Sequence, residues 1–181
     1  MLSRRRLLVL GAAASVSSSF LAESVEAAPH THAKYDRSVS LYNMHTGESL
    51  KTVYWADGRY QSLAMRQLNH FLRDHYSGDV HSMDPHVIDI LSQLQHRLGT
   101  HKPFVVVSGY RSPHTNAWLA SMTDGVAQHS LHMEGKAVDI SLEGVSVRHV
   151  GRAARSLRAG GVGQYPESGF VHVDCGRVRC W

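Results

Sequence analysis

The sequence predicts one α+β domain: a small antiparallel sheet that carries the polar motifs, several flanking helices and an N-terminal β-hairpin. Residues 38–55 alternate between apolar and polar side chains on both sides of a Gly-containing turn, which indicates the hairpin. Residues 87–98 carry an apolar stripe at helical spacing. At 181 residues the chain is long enough for one domain with a real core and too short to expect two.

Residues 1–27 have the pattern of a cleavable export signal. A basic segment with an arginine pair precedes a short, Ala/Ser-rich apolar run, which is too short and polar to favour a retained transmembrane helix. The string Ser-Arg-Arg-x-Leu at residues 3–7 resembles a twin-arginine signal, so we expect export to the bacterial periplasm. We expect residues 28–35 to be a mobile segment and the domain to span residues 36–181.

The first half of the domain predicts a hairpin followed by two helices. The hairpin strands are Ser38–Met44 and Leu50–Trp55. Roughly helical spacing of apolar residues predicts a helix from about Leu63 to His75. A clearer helix starts at Asp84, an N-cap residue followed by proline at the first helical position, and it ends at Gly99.

The second half predicts short strands and helices in turn. A run rich in β-branched residues indicates a buried strand, and Ser-Pro at residues 112–113 marks a helix N-terminus. The Gly-rich stretch from Gly160 to Gly163 is expected to break the last helix. The predicted elements are, in order, a strand at Phe104–Val107, a helix from Pro113 to about Met122, a strand from Ala137, a helix between Ser146 and Ala159, and strands at Phe170–Asp174 and Arg177–Trp181.

Charge and cysteine content limit the classes of protein. A formal net charge of +4 is too modest for a dedicated nucleic-acid binder, which clusters its Lys and Arg on one face. Cys175 and Cys180 can bridge a tight turn in an oxidising compartment, which favours a disulfide in an exported chain, with two free thiols as the alternative. A cysteine-based zinc site would need further soft ligands, and the sequence has no other cysteine.

Three polar residues are candidate metal ligands: His132, Asp139 and His172. A catalytic zinc site uses three protein ligands and leaves a fourth position for water, and two histidines with one carboxylate is a common set. Alternation along the two predicted strands puts Asp139 and His172 on the faces turned away from the core. Spacing alone leaves the alternative open that these are unrelated surface residues.

Three motifs carry a resemblance to a known group of enzymes. Ser-x-His-x-x-Gly-x-Ala-x-Asp-Ile at residues 130–140 resembles the first zinc motif of the zinc D-Ala-D-Ala peptidases, which share a fold with lysostaphin-type enzymes and the hedgehog N-terminal domain. Ser-Gly-Tyr-Arg-Ser at residues 108–112 resembles the arginine motif of that group. The string from Gly160 to Asp174 resembles the bacterial murein endopeptidase branch, and the likeness spans about residues 36–181.

The resemblance implies a periplasmic zinc endopeptidase that hydrolyses peptide cross-links in the stem peptides of peptidoglycan. We also expect a monomer that has no membrane span once the signal is cleaved. His132, Asp139 and His172 match the zinc ligands. Arg111 matches the arginine that binds a substrate carboxylate or stabilises the developing oxyanion. Zinc would polarise the scissile carbonyl and lower the pKa of its bound water toward ~7.

One departure concerns the general base. Carboxypeptidase relatives place an acidic residue three positions before the second histidine, and Gly169 stands there in this chain. Asp174 is the substitute candidate for the base, with orientation of a ligand histidine as its alternative role, and Glu167 is a weaker candidate. His114 and His129 are expected to line the cleft rather than bind metal. The missing base also leaves open a non-catalytic murein-binding or zinc-dependent scaffold.

Overall fold

The computed structural model describes residues 36–122 and 127–181. These ranges contain eight strands and four helices, with one short 3₁₀ turn ahead of the fifth strand. The elements are β1 Arg37–Asn43, β2 Ser49–Ala56, β3 Arg59–Tyr60, α1 Ser62–Phe71, α2 Pro85–Arg97, β4 Phe104–Ser108, α3 Pro113–Met122, the 3₁₀ turn Leu131–Glu134, β5 Ala137–Ser141, α4 Val147–Leu157, β6 Gly161–Tyr165, β7 Phe170–Asp174 and β8 Arg179–Cys180.

Within the described ranges, the strands form one mixed sheet of eight strands in the order β3-β2-β1-β4-β5-β7-β6-β8. The predicted α+β class and the N-terminal hairpin of β1 and β2 are confirmed. The sheet is larger than the expected small antiparallel one, because β1 pairs in parallel with β4 and joins the hairpin to the central strands. Strand β6 begins inside the Gly-rich stretch that the sequence marks only as a helix break.

The predicted helix signals agree with the structure at α2 and α4. Asp84 caps α2 by accepting a hydrogen bond from the backbone N–H of His86, and Ser146 caps α4 in the same way from His149. Helix α1 ends at Phe71, earlier than predicted. The chain turns there because the buried side chain of Asp74 binds the backbone N–H groups of the following loop.

The hydrophobic core lies between one face of the sheet and helices α1, α2 and α4. Val138, Ile140, Val171 and Val173 are each fully buried in it, as the alternation along β5 and β7 predicts. Alternation therefore turns the intervening residues of both strands to the opposite face. That face carries Asp139 and the other polar residues considered below.

The two cysteines are free thiols in the structure, so the disulfide favoured by their spacing is not formed. Cys175 follows β7, whereas Cys180 lies in β8, and strand β6 runs between those two strands. Residues two strands apart are separated by roughly 9–10 Å, beyond the roughly 7 Å that a disulfide can span between Cα atoms.

Two predictions fall on residues that the structure does not describe. The export signal at residues 1–27 and the segment at residues 28–35 both lie outside the described ranges. Within residues 36–122 and 127–181, none of the helices has the length and apolar character needed to cross a membrane.

Candidate metal centre

The structure brings His132, Asp139 and His172 together in one cluster. The facing atoms are Nε2 of His132, Nδ1 of His172 and Oδ1 of Asp139. The two nitrogens are 3.1 Å apart, and Oδ1 lies 2.9 Å from His172 Nδ1 and 3.3 Å from His132 Nε2. All three residues are at most 9% exposed. Two imidazoles and a carboxylate therefore converge where bulk water has little access.

The local structure explains how these side chains meet. Asp139 and His172 are directly opposite each other on the antiparallel strands β5 and β7, so their side chains share one face. His132 comes from the 3₁₀ turn before β5, which Ser130 caps by accepting a hydrogen bond from the backbone N–H of His132. Gly135 ends that turn with φ of +66°, and a Cβ there would lie 2.4 Å from the carbonyl oxygen of Ser82.

The far nitrogen of each imidazole has its own acceptor. His132 Nδ1 lies 2.7 Å from the carbonyl oxygen of Gly109, and His172 Nε2 lies 3.1 Å from a carboxylate oxygen of Asp174. A carbonyl oxygen only accepts hydrogen bonds, so Nδ1 of His132 carries the proton, and an ionised Asp174 imposes the same on Nε2 of His172. When both imidazoles are neutral, the nitrogens that face Asp139 therefore present lone pairs, so three acceptors point at one space.

This donor set fits a small divalent cation. Ligands bound tetrahedrally at ~2.0–2.1 Å are separated by roughly 3.3 Å, close to the distances in the cluster. Without a cation or a proton between them, three converging lone pairs repel one another in a buried site, where each unsatisfied acceptor costs about 1–3 kcal/mol. Imidazole nitrogens that pass their other N–H to a carbonyl or carboxylate are the usual arrangement of metal-binding histidines.

The electrostatics of the cluster favour positive charge at its centre. Burial opposes ionisation of Asp139, but the charge and hydrogen bonds of His132 and His172 outweigh it and hold its pKa well below the ordinary value. Burial likewise opposes the charged form of His172, but hydrogen bonds to Asp139 and Asp174 prevail and raise its pKa to about 9. The buried, ionised carboxylate of Asp139 can therefore neutralise the charge of a cation bound by the two histidines.

Arg111 lies beside this cluster, directly after the loop that ends β4. Its guanidinium donates to Asn116 Oδ1 and Ser108 Oγ, each at 3.3 Å, and one nitrogen lies 3.7 Å from Asp139 Oδ2. The side chain is 14% exposed and lines the same cavity as the cluster. It therefore places a fixed positive charge next to the three converging acceptors.

The cavity over the cluster has a volume of about 380 Å³. His129 is in its lining, as predicted, whereas His114 lines a separate groove with Tyr76 and Trp118. Neither Glu167 nor Asp174 is in the lining. Sequence reasoning missed part of one wall of the cavity, which is formed by Tyr165, Phe170, Arg179 and Trp181.

The missed residues are connected to one another and to the cluster. The rings of Tyr165 and Phe170 stack at 4.6 Å, and the indole N–H of Trp181 donates to the hydroxyl of Tyr165 at 2.8 Å. The Trp181 ring lies 5.4 Å from the His172 ring. The sequence does contain a signal for this wall, because aromatic residues stand on both sides of residues 166–169. They can be predicted to pair only if the residues before them are recognised as a strand, β6, that turns back into β7.

Asp174 is fully buried and makes no contact with the cavity. Its carboxylate accepts hydrogen bonds from the backbone N–H groups of Gly161 and Gly176, from both terminal nitrogens of Arg179, and from His172. Burial opposes its ionisation, but these donors outweigh it and hold its pKa well below the ordinary value. These contacts favour the orienting role for Asp174 over the role of general base.

The sheet, the His-Asp-His cluster and the adjacent arginine are those of a metallopeptidase. The model of the family Peptidase_M15_2, described as peptidoglycan L,D-endopeptidase MepK, matches residues 31–181, and the chain belongs to this family. M15 peptidases depend on a metal ion.

Curated relatives agree with this family. The peptidoglycan L,D-endopeptidase MepK of Escherichia coli strain K12 is 43% identical over 180 residues, which cover 99% of this chain and 97% of the relative. The protein of the same name from Shigella flexneri matches to the same extent. The probable peptidoglycan L,D-endopeptidase MepK of Haemophilus influenzae is 37% identical over 99% of this chain and 95% of its own length.

Proposed function

We propose that the chain is a zinc-dependent peptidoglycan endopeptidase that hydrolyses L,D-peptide bonds between stem peptides. The observation that carries this proposal is the buried convergence of His132 Nε2, His172 Nδ1 and Asp139 Oδ1, with the far nitrogens of both histidines already bonded. The reaction class and the bond type follow the printed names of the family and of the relatives that the chain matches over nearly its full length.

The proposed metal is zinc, with His132, Asp139 and His172 as its ligands. Two imidazoles and one carboxylate form a ligand set found in catalytic zinc sites, and three protein ligands leave one position free. A bound zinc ion supplies a Lewis acid that polarises the scissile carbonyl and lowers the pKa of water toward ~7.

The proposed role of Arg111 is to hold the negative charge that develops on the scissile carbonyl oxygen or a carboxylate of the substrate. Ser108 and Asn116 each hold one terminal nitrogen of its guanidinium, so the charge is oriented before substrate binds. Because little water reaches a side chain that is 14% exposed, its charge is screened less than it would be at the surface.

The proposed role of Asp174 is to orient His172, and the proton acceptor is then another group. His129 and Tyr165 are the titratable side chains of the described cavity that remain besides the ligand cluster and the two arginines. Asp174→Asn is expected to lower the zinc content of the protein, since its amide no longer enforces the hydrogen bond from His172. Full zinc content with lost cleavage would instead assign Asp174 as the base.

We place the enzyme in the periplasm as a monomer, exported through the twin-arginine route. The arginine pair, the short apolar run and the small residues of positions 1–27 support export, and peptidoglycan lies in that compartment. The expected outcome in a strain that lacks twin-arginine transport is accumulation of the precursor. Normal export there would point to the general secretory route.

Digestion of purified sacculi followed by muropeptide analysis tests the enzymatic proposal. Loss of cross-linked dimers is expected with the wild-type protein, and it is expected to disappear with EDTA and in His132→Ala. His96→Ala is the matched control, because His96 is an exposed histidine outside the cavity, and it is expected to cleave normally. Unchanged dimers at full zinc occupancy would refute catalysis and favour the murein-binding scaffold.

A further inference from the structure

The segment after β7 contacts the side of the cluster that carries His172. The ring of Trp181 lies 5.4 Å from the His172 ring, and the guanidinium carbon of Arg179 lies 4.9 Å from the Trp181 ring centroid. Strand β8, which contains Arg179, runs parallel to β6 and is held by its backbone. This segment therefore forms part of the support of the site, although no ligand role falls to it.

Arg179 makes a two-pronged ion pair with Asp174. Its Nη1 lies 3.1 Å from Oδ1 and its Nη2 lies 2.8 Å from Oδ2. Backbone N–H groups of Gly161 and Gly176 also donate to Oδ1, at 3.1 and 2.8 Å. The partners of Oδ2 are Arg179 and Nε2 of His172, which lies at 3.1 Å. Hydrogen bonds thus hold both oxygens of the Asp174 carboxylate, and Oδ2 is left to accept a hydrogen bond from His172.

The ion pair decides which nitrogen of His172 carries the proton. A guanidinium keeps its charge at any pH at which proteins fold, and a fully buried carboxylate paired with it stays ionised. An ionised carboxylate only accepts hydrogen bonds, so Nε2 of His172 must donate. In the neutral imidazole, which is the form that binds a metal, Nδ1 is then left with a lone pair, and Nδ1 faces Asp139 and His132.

The glycines of the 160–163 stretch make room for this arrangement. A Cβ at Gly161 would lie 2.3 Å from Asp174 Oδ2 and 2.4 Å from Arg179 Nη1, and a Cβ at Gly163 would lie 2.6 Å from the Trp181 ring. Contacts this short are not tolerated, so any side chain at residue 161 would displace the ion pair. The Gly-rich stretch is therefore explained by the space that Arg179 and Trp181 occupy.

We propose that Arg179 is a positioning residue of the metal centre, which holds Asp174 so that His172 turns its Nδ1 lone pair toward the ion. This inference rests on the metal centre of the proposed function. In this inference, Arg179 contacts neither the metal nor the substrate. It affects metal affinity through Asp174 and His172. Loss of the outer partner of a metal-binding histidine typically weakens metal binding by roughly 10–100-fold.

The test compares zinc affinities of the full chain by competition with a chelator in Arg179→Gln, Arg179→Lys and Arg177→Gln. Arg179→Gln is expected to bind zinc at least about tenfold more weakly than the wild type. Arg179→Lys keeps the charge without the planar fork, so a smaller loss is expected. Arg177→Gln removes the same charge from an exposed side chain two residues away and is expected to bind zinc like the wild type.

A second readout separates positioning from a general loss of structure. Nitrogen chemical shifts of His172 in the zinc-free protein, at a pH at which its imidazole is neutral, are expected to show the Nε2–H form in the wild type and in Arg177→Gln. Arg179→Lys keeps a cation near Asp174 and is the more conservative of the two changes at this residue. In this variant, a second population of His172 with the proton on Nδ1 is expected. Zinc affinity within about twofold of the wild type in both Arg179 variants, or an unchanged His172 signal, would overturn the inference.

These measurements also separate the inference from the proposed function. Zinc affinity and the protonated nitrogen of His172 are measured without peptidoglycan. If the wild type cleaves no sacculi but the Arg179 variants bind zinc more weakly than it does, only the proposed activity is refuted. Normal cleavage by the wild type with unchanged zinc affinity in the Arg179 variants would refute the positioning role alone.

Discussion

Asp74 is the residue whose contribution to stability follows most directly from the structure. It is 1% exposed, and its carboxylate accepts hydrogen bonds from the backbone N–H of Ser112 at 2.9 Å and of Tyr76 at 2.9 Å. Burial opposes its ionisation, but hydrogen bonds from Thr115, Ser112 and Tyr76 outweigh it and lower its pKa from 3.8 to about 2. The folded state therefore prefers the ionised form more strongly than the unfolded state does.

The difference in pKa corresponds to about 2 kcal/mol of stability at neutral pH. Because the folded pKa of Asp74 lies below the unfolded one, this contribution is complete above pH ~4 and is lost as the pH falls toward ~2. Asp74→Asn is expected to lower the free energy of unfolding by about 2 kcal/mol at pH 7. For a domain of this size, the midpoint of thermal unfolding should then fall by roughly 4–8 °C.

Urea unfolding of the wild type and Asp74→Asn at several pH values between 7 and 3 measures this effect. The gap between the two proteins is expected to narrow below pH ~4, because the wild type loses the contribution that the variant never had. Asp79→Asn is the control, since Asp79 is an exposed carboxylate of the same loop. Equal stability of Asp74→Asn and the wild type at pH 7, or a gap that stays constant down to pH 3, would refute the reasoning.

Three further outcomes are expected. Arg111→Ala should lower kcat for sacculus digestion by roughly 10²–10³-fold at unchanged zinc content, and an unaffected kcat would exclude charge stabilisation by Arg111. Gly135→Ala should lower the thermal midpoint, because the residue has positive φ and a methyl group would lie 2.4 Å from the Ser82 carbonyl oxygen; an unchanged midpoint would contradict this. A thiol reagent should modify the exposed Cys180 of the native protein first, since burial and the charge of Asp84 raise the pKa of Cys175 to about 11; absence of any reactive thiol before and after unfolding would indicate a disulfide.

Local signals were enough to predict the parts of the fold that depend on local physics. Helix α2 follows from its capping residue, its proline and its apolar stripe, and the alternation in β5 and β7 gives the correct core residues. The parallel pairing of β1 with β4 joins residues about sixty positions apart, and no periodicity in either strand specifies such a partner. The single mixed sheet was therefore beyond the reach of sequence patterns.

Strand β6 was missed for a different reason. Glycine weakens a strand, so a stretch such as Gly160–Gly163 indicates a break when only its neighbours in sequence are considered. The structure places Asp174, Arg179 and Trp181 where side chains at residues 161 and 163 would stand. The glycines are required by contacts with residues more than ten positions away, which a local pattern does not contain.

For the candidate site, alternation predicts the direction of Asp139 and His172 but not their burial. Both lie on the sheet face turned away from the core, yet each is at most 9% exposed. The spacing of the motif also says nothing about the far nitrogens of the histidines, which find the Gly109 carbonyl and Asp174. Those two contacts carry the chemical argument, because in the neutral imidazoles they direct both lone pairs toward Asp139, and a cation among the three buried acceptors would satisfy them.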